Sequence, residues 1–196
     1  YESHTLVKIS SNGVTIQDLS IVSSGQSEGS YSTSKGLEVE SDNSEFVNIY
    51  VADNPVGLRV NSQELITIVN SVFYDNHYCA LNLVDVEEVV IHNNSFIRNL
   101  GDDESTYNGN AGVAISLYNA DGAVIRNNTF DENRYAVSLG GSSKNIVFQD
   151  NILRNNSIGI QVGGGSFDNS FYNNIIEYST SYGIYMDNSY SSIFSN

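Results

Sequence analysis

An asparagine that returns every 22 to 23 residues is the feature of this sequence that most constrains its fold. This asparagine closes an Asn-Asn or Asp-Asn pair and recurs at Asn94, Asn128, Asn151 and Asn174. The same phase extends back to Ser71, Ile49 and Leu19 and forward to Asn196, in steps of 30, 22, 23, 34, 23, 23 and 22 residues. A fixed period of this length indicates stacked coils, and the two long steps indicate insertions near residues 23–35 and 101–110.

Each repeat also carries a segment in which apolar and polar residues alternate, the pattern of a strand with one buried face. The apolar pairs are Leu58/Val60, Leu81/Leu83, Ile115/Leu117, Val137/Leu139, Ile160/Val162 and Ile184/Met186. A small residue precedes every pair: Gly57, Ala80, Ala114, Ala136, Gly159 and Gly183. We attribute these small residues to a tight bend at the start of the strand.

Two further columns repeat with the same period. An apolar column contains Ile21, Val51, Phe73, Phe96, Phe130, Leu153 and Ile176. Three residues later comes a second asparagine column, which contains Asn54, Asn76, Asn99, Asn133 and Asn156. Identical side chains on neighbouring coils lie about 4.8 Å apart, so inward-facing asparagines satisfy one another by amide hydrogen bonds along the stack.

These repeats resemble the parallel β-helix repeats of the pectate-lyase-like superfamily, above all the Asn-rich type of the NosD-like copper-pathway proteins and surface proteins. The resemblance covers residues 5–196. It implies an all-β fold, a single-stranded right-handed parallel β-helix (β-solenoid) of about eight coils with two loop insertions. One domain without a separate cap then spans residues 1–196, with two or three sheets per coil. The alternating pattern argues against a leucine-rich repeat of similar period.

Charge and cysteine content restrict the location and the partners. Eight Lys and Arg against 23 Asp and Glu give a net charge of −15, which disfavours nucleic acid and anionic membranes as partners. No apolar run approaches the length needed for membrane insertion. A start at Tyr1 without a leader suits a mature secreted protein, extracellular or on a cell surface. The single cysteine, Cys79, aligns with core positions and is expected to be a buried thiol.

The first functional hypothesis is a non-catalytic structural protein. Coil-type sequence begins close to Tyr1 and stops in mid-repeat at Asn196, in nearly complementary register. Uncapped solenoid ends expose strand edges and core, so we expect a homo-oligomer that stacks end to end into a surface layer, sheath or filament. The alternative reading of these ends is a piece of a longer solenoid.

The second hypothesis is a polysaccharide-active or carbohydrate-binding β-helix, which the resemblance implies. Uronate lyases and C5-epimerases of the superfamily use a groove along one sheet, a cation or calcium, and a base. The groove-facing row here reads Lys8, Glu38, Arg59, Asn82, Ser116, Ser138, Gln161 and Tyr185. The candidate catalytic residues are Arg59, Asp75, His77 and Tyr78, although the segment lacks the epimerases' Asp-Pro-His motif.

The remaining candidates concern metals, glycans and exposed rings. Asp102, Asp103 and Glu104 form an acidic run that is a candidate calcium site, whereas one Cys, one Met and scattered His do not support a copper site. Asn93, Asn127 and Asn155 begin glycosylation sequons, and the first two should point outward. Tyrosines expected at the surface, where they can stack on sugars, are Tyr31, Tyr107, Tyr118, Tyr172, Tyr178, Tyr185 and Tyr190.

Overall fold

The computed structural model describes residues 4–23, 34–101 and 111–195, and within these ranges the chain is all β, with no helix. Each coil runs through three short strands, one in each of three parallel sheets, named A, B and C here. The repeat length left open whether each coil contributes to two or three sheets, and the structure has three. Seven coils are complete, and an eighth contributes one strand to sheet A and one to sheet B.

Strands are numbered along the chain. Sheet A contains β1 (Thr5–Ile9), β4 (Lys35–Val39), β7 (Val56–Asn61), β10 (Cys79–Val84), β13 (Val113–Tyr118), β16 (Tyr135–Gly140), β19 (Ile158–Val162) and β22 (Tyr182–Met186). Sheet B contains β2 (Thr15–Gln17), β5 (Glu45–Val47), β8 (Thr67–Val69), β11 (Val90–His92), β14 (Val124–Arg126), β17 (Val147–Gln149), β20 (Ser170–Tyr172) and β23 (Ile193–Ser195). Sheet C contains β3 (Ser20–Val22), β6 (Tyr50–Ala52), β9 (Val72–Tyr74), β12 (Ser95–Ile97), β15 (Thr129–Asp131), β18 (Ile152–Arg154) and β21 (Ile175–Glu177).

The β-solenoid predicted from the period is confirmed by the strand register. Leu58 pairs with Leu81, which pairs with Ile115, so equivalent residues of successive repeats lie directly over one another. The apolar pairs of the alternating segments face inward in sheet A, and the apolar column of the Asn-marked segments faces inward in sheet C. The insertions at 23–35 and 101–110 fall almost wholly outside the described residues.

Phenylalanine rings stack along the core. Phe73, Phe96 and Phe130 of sheet C stack with ring centroids 5.1 and 4.9 Å apart. The aromatic column then moves to sheet B, where Phe148 lies 5.8 Å from Phe130 and is followed by Phe171. Because all five rings are buried, this column contributes a large share of the apolar area removed from water.

Both asparagine columns form hydrogen-bonded ladders. Asn94 Nδ2 donates to Asn128 Oδ1 at 3.1 Å and to the Ile68 carbonyl oxygen at 2.9 Å, while its backbone N–H donates to the same Asn128 oxygen. The pattern repeats up to Asn174. In the second ladder, Asn76 Nδ2 reaches Asn99 Oδ1 at 3.1 Å. Each inward amide therefore satisfies backbone groups that a corner between two sheets would otherwise leave unpaired.

The residue before each member of the column that runs from Leu19 through Ile49 and Ser71 to Asn174 makes the corner possible. Between sheets B and C these residues adopt a left-handed conformation, with φ of 52° to 58°: Asp18, Asn48, Asn70, Asn93, Asn127, Asp150 and Asn173. Asn and Asp tolerate this conformation better than other non-glycine residues. In each Asn-Asn pair, the first residue points outward and turns the chain. The second points inward and forms hydrogen bonds with backbone groups at the corner.

The prediction of a tight bend at the small residues is wrong. Gly57 lies inside strand β7 and has no left-handed φ. A Cβ added there would lie 2.6 Å from the Ala80 carbonyl oxygen and 3.2 Å from Asn76 Cγ. The missing bulk therefore makes room for the next coil and for the second asparagine ladder.

Candidate functional site

The outward row of sheet A crosses all eight coils in the order expected from the sequence. Register pairs join Lys8, Glu38, Arg59, Asn82, Ser116, Ser138, Gln161 and Tyr185 in that order. The first three members are charged and the remaining five are neutral. The face of sheet A is therefore divided into a charged half and a neutral half.

Ion pairs occupy most of the charged half. Lys35 Nζ lies 3.0 Å from Glu38 Oε1, and Lys8 Nζ lies 2.8 Å from Glu40 Oε1. Glu38 and Arg59 are register neighbours, but the ion pair of Glu38 is made with Lys35. The Arg59 Nε atom is buried without a hydrogen-bond partner and borders a cleft of about 420 Å³.

Glu38 is held in its ionised form. Burial raises the pKa of this carboxyl, but hydrogen bonds from Lys35 and Thr5 and the charges of Lys35 and Lys8 outweigh burial, so the pKa lies below its usual value. A carboxylate that stays ionised at neutral pH and is paired with lysine is a poor general acid or base. The charged half therefore contains a structural ion-pair network.

The neutral half carries a cleft of about 460 Å³. Its lining residues are Tyr78, Cys79, Val113, Ser116, Leu117, Tyr118, Tyr135, Ser138, Leu139, Gly140, Gly141, Gln161, Gly163 and Gly164. None of these side chains carries a charge at neutral pH. The volume falls within the range of small-molecule sites.

Tyrosine rings border this cleft, and polar side chains lie in it. Tyr118 is 52% exposed and lies beside Gly140, where an added Cβ would be 3.5 Å from its ring. Tyr135 has the guanidinium of Arg134 over its ring at 5.6 Å from the centroid. The Ser138 hydroxyl donates to Gln161 Oε1 at 3.2 Å. The cleft thus combines aromatic surface with hydroxyl and amide groups.

The structure places the predicted catalytic residues at the corner between sheets C and A and in the outward row of sheet A. His77 Nε2 lies 3.0 Å from Asp53 Oδ1 on the corner between sheets C and A. Asp75 has a left-handed φ of 52° at the same corner and serves the turn. Arg59 is level with Asn82, four residues beyond Tyr78 along the strand, or roughly 13 Å at 3.3 Å per residue. Arg59 and His77 therefore belong to different parts of the surface, the outward row of sheet A and the corner before it.

Sequence reasoning identified part of the neutral cleft. It placed Ser116, Ser138 and Gln161 in the outward row and Tyr118 at the surface, and all four line the cleft. It had assigned Tyr78 to the catalytic segment, and it missed Tyr135. Tyr135 aligns with Cys79 at the first position of the sheet A strands. Because most residues at that position are apolar and buried, the sequence did not indicate that Tyr135 would line a cleft.

The sequon asparagines lie at the surface. Asn93, Asn127 and Asn155 are exposed and have φ of 58°, 56° and 54°. The residue after each belongs to an asparagine ladder, so these sites are rigid corners. Asn155 Nδ2, the atom that would carry a glycan, donates to Asp131 Oδ1 at 2.8 Å.

The candidate metal ligands receive no support from the described residues. Asp102, Asp103 and Glu104 lie outside the described ranges. Within residues 4–23, 34–101 and 111–195, no group of three or more His, Cys, Asp or Glu side chains is arranged to hold a metal ion.

The three sheets, the coil register and the asparagine ladders define a protein of the parallel β-helix class. The family model for the periplasmic copper-binding protein NosD matches residues 2–174 and, in a second alignment, residues 101–196. The chain therefore belongs to the NosD family. No curated protein matches the sequence.

Solved structures share the fold at low identity. A surface adhesin of Streptococcus pneumoniae, PfbA, aligns with a TM-score of 0.59 and 13% identity over 98% of this chain. The chain spans about 60% of the length of that adhesin structure. An alginate lyase from Paenibacillus sp. str. FPU-7 aligns with a TM-score of 0.43 and 11% identity, over 98% of this chain and 91% of the lyase.

The described side chains do not fit the copper that the family name implies. Burial raises the pKa of the Cys79 thiol to about 12, and its Sγ donates to the Leu81 carbonyl oxygen. A copper ligand would have to be the thiolate. His92 Nδ1 is buried without a partner, but the neighbouring strand places Arg126 beside it, and this positive charge opposes a cation. We therefore assign no copper chemistry to these residues.

None of the described segments forms a helix long and apolar enough to cross a membrane.

Proposed function

We propose that this chain is an extracytoplasmic, surface-type β-solenoid that binds carbohydrate on the outer face of sheet A without transforming it. The observation that carries the proposal is the neutral cleft, where exposed tyrosine surface and outward hydroxyl and amide groups meet on a rigid sheet. Aromatic rings cover the apolar faces of sugars, and hydroxyl and amide groups pair with sugar hydroxyls.

Two further facts support a binding role. Glu38, the carboxylate of the outward row, is ion-paired with Lys35, and His77 lies on a corner beside Asp53, outside the outward row that contains Arg59. The family is named after a periplasmic protein, and a surface adhesin has the same fold. Both facts support a location outside the cytoplasm.

The test combines a binding and a turnover measurement on one set of polysaccharides. We expect calorimetric titration to detect saturable binding and ultraviolet absorbance to detect no unsaturated uronate products, with or without calcium. Product formation that is lost in His77→Ala would show that the protein is a lyase. Absence of binding to every glycan would contradict the proposal.

A second candidate function, end-to-end self-association into a layer or filament, has its own supporting observation. In the last coil, Ile184 and Met186 face inward yet are 42% and 44% exposed, and an open apolar cavity of about 580 Å³ extends to Phe171 and Phe194. Apolar surface of this kind at free strand edges favours the addition of another β-layer. A second copy of this chain is the occupant that we propose.

Light scattering over a concentration series tests the idea. We expect association that Ile184→Asp abolishes and that Leu65→Asp, at an exposed corner of the third coil, does not. A monomer at all concentrations would rule it out.

Glycosylation belongs to the same proposal. The exposed Asn93 and Asn127 are the better acceptors, because the side chain of Asn155 is held by Asp131. Mass spectrometry of protein from a glycosylating host should find glycan on the first two sites before the third.

A further inference from the structure

We infer that the neutral cleft selects uncharged, hydroxyl-rich saccharides and excludes uronates. The inference rests on the proposed carbohydrate binding and names its ligand class. The charge of the lining, its hydrogen-bonding groups and the position of its rings each point to this class.

The charge of the cleft excludes a carboxylate ligand. All its lining side chains are neutral, and the whole chain carries a net charge of −15. A uronate carboxylate entering this site would lose hydration and be repelled by the net negative charge of the chain, and the cation beside the lining, Arg134, lies over the ring of Tyr135. An uncharged sugar meets neither penalty.

The polar groups of the cleft suit hydroxyl partners. Ser116, Ser138 and Gln161 belong to three successive coils, which places them in one line about 4.8 Å apart per step. Gln161 Oε1 accepts the Ser138 hydroxyl, and the Nε2 of the same amide supplies two N–H donors. Serine hydroxyls and this amide can each pair with a sugar hydroxyl, which both donates and accepts.

The aromatic surface lies on both sides of that line. Tyr118 ends strand β13 on one side, and Tyr78 and Tyr135 lie at the start of the sheet A strands on the other side. A saccharide lying along the solenoid axis would therefore contact rings at its edges and polar groups beneath it. Arg59 is in the charged half, two coils before Ser116, so it does not line this cleft.

The experiment titrates the full chain with neutral oligosaccharides (cello-, manno- and galacto-series) and with uronate oligosaccharides (polygalacturonate and alginate). Calorimetric titration reports binding, because its signal does not depend on the tyrosine ring that the test variant removes. The test variant is Tyr118→Ala. The matched control is Tyr178→Ala, which removes an even more exposed ring in the seventh coil, at the corner that follows β21. Unchanged melting temperatures confirm that both variants fold.

We expect a neutral oligosaccharide to bind, and its Kd to rise at least about tenfold in Tyr118→Ala, equivalent to ~1.4 kcal/mol, with no change in Tyr178→Ala. A Gln161→Ala variant should show a smaller rise. If uronates bind as well as neutral sugars, or if they bind and Arg59→Ala abolishes this, the inference is wrong while carbohydrate binding stands. If no glycan binds, both the inference and the proposed function are wrong.

Discussion

The middle coils and the last coil contain the same repeat in different surroundings. In the fifth coil, Ile115, Leu117 and Phe130 are fully buried between neighbouring coils. In the eighth coil, the equivalent Ile184 and Met186 are largely exposed, although their strand has the same register with the coil before it. A repeat residue therefore stabilises the solenoid through the coils on both sides of it, and the sequence motif alone does not determine its contribution.

The largest expected difference between the two regions concerns the aromatic column. Phe96→Ala removes a ring stacked between Phe73 and Phe130 and should lower the free energy of unfolding by about 4 kcal/mol. Phe194→Ala removes a half-buried ring that contacts Phe171 and should cost about 1 to 2 kcal/mol. Urea denaturation of both variants measures the contrast, and equal losses would contradict it.

The asparagine ladder should show the next largest difference. Asn128→Ala leaves the Asn94 amide N–H and the Ile91 carbonyl oxygen buried without their partner, so we expect a loss of about 3 kcal/mol. Asn174→Ala, in a half-buried position, should cost about 1 kcal/mol. Hydrogen exchange at the Asn94 amide gives a local check, because this proton should lose protection only in Asn128→Ala.

Adding a methyl group to the small-residue column should have opposite effects in the two regions. Gly57→Ala forces the Ala80 carbonyl and the Asn76 side chain to move and should destabilise by about 1 to 3 kcal/mol. At Gly183 the nearest atom to an added Cβ is Ile176 Cγ2 at 3.6 Å, an ordinary contact, so Gly183→Ala should stabilise by about 0.5 kcal/mol. Melting temperatures that shift in the same direction in both variants would show that the two sites do not differ in the space available for a methyl group.

The smallest expected effect is a pH dependence confined to the middle coils. Burial and the charge of Arg126 lower the pKa of His92, so the folded protein favours the neutral ring. Stability should be complete above the ordinary histidine value of about 6.5 and should fall as pH drops through the depressed folded pKa. His92→Gln should flatten this slope, since the later members of the row, Gln149, Tyr172 and Ser195, do not titrate there. An unchanged slope would exclude His92 as its source.

The interior of this fold could be predicted from the sequence because packing constrains it. Asn94, Asn128, Asn151 and Asn174 recur because each side chain satisfies backbone groups at the same corner of the stack, and this polar requirement shows in the sequence as one repeated residue type. The prediction of a bend at Gly57 failed because a small residue fits more than one explanation, and the sequence does not display the close approach of the Ala80 carbonyl.

The candidate site was less predictable because its residues face outward. Ser138 and Gln161 satisfy no interior requirement, so the row keeps no single residue type, and only their register placed them together. His77 and Asp75 were predicted as catalytic candidates because of their residue types and not because of their positions in the repeat. The structure shows that they sit on a corner, where one binds Asp53 and the other turns the chain.

The asparagine ladder gives the solenoid a direction. Every bond between asparagine side chains in the first ladder is donated toward the C-terminal coil, from Asn94 to Asn128 and on to Asn174, while each Nδ2 also donates to a backbone carbonyl of the coil before it. Toward the N terminus the column passes through Ser71 to Ile49 and Leu19, which have no amide to offer. The two ends of the described ladder are thus chemically distinct: at Asn174 the column is polar, whereas at Ile49 and Leu19 it is apolar.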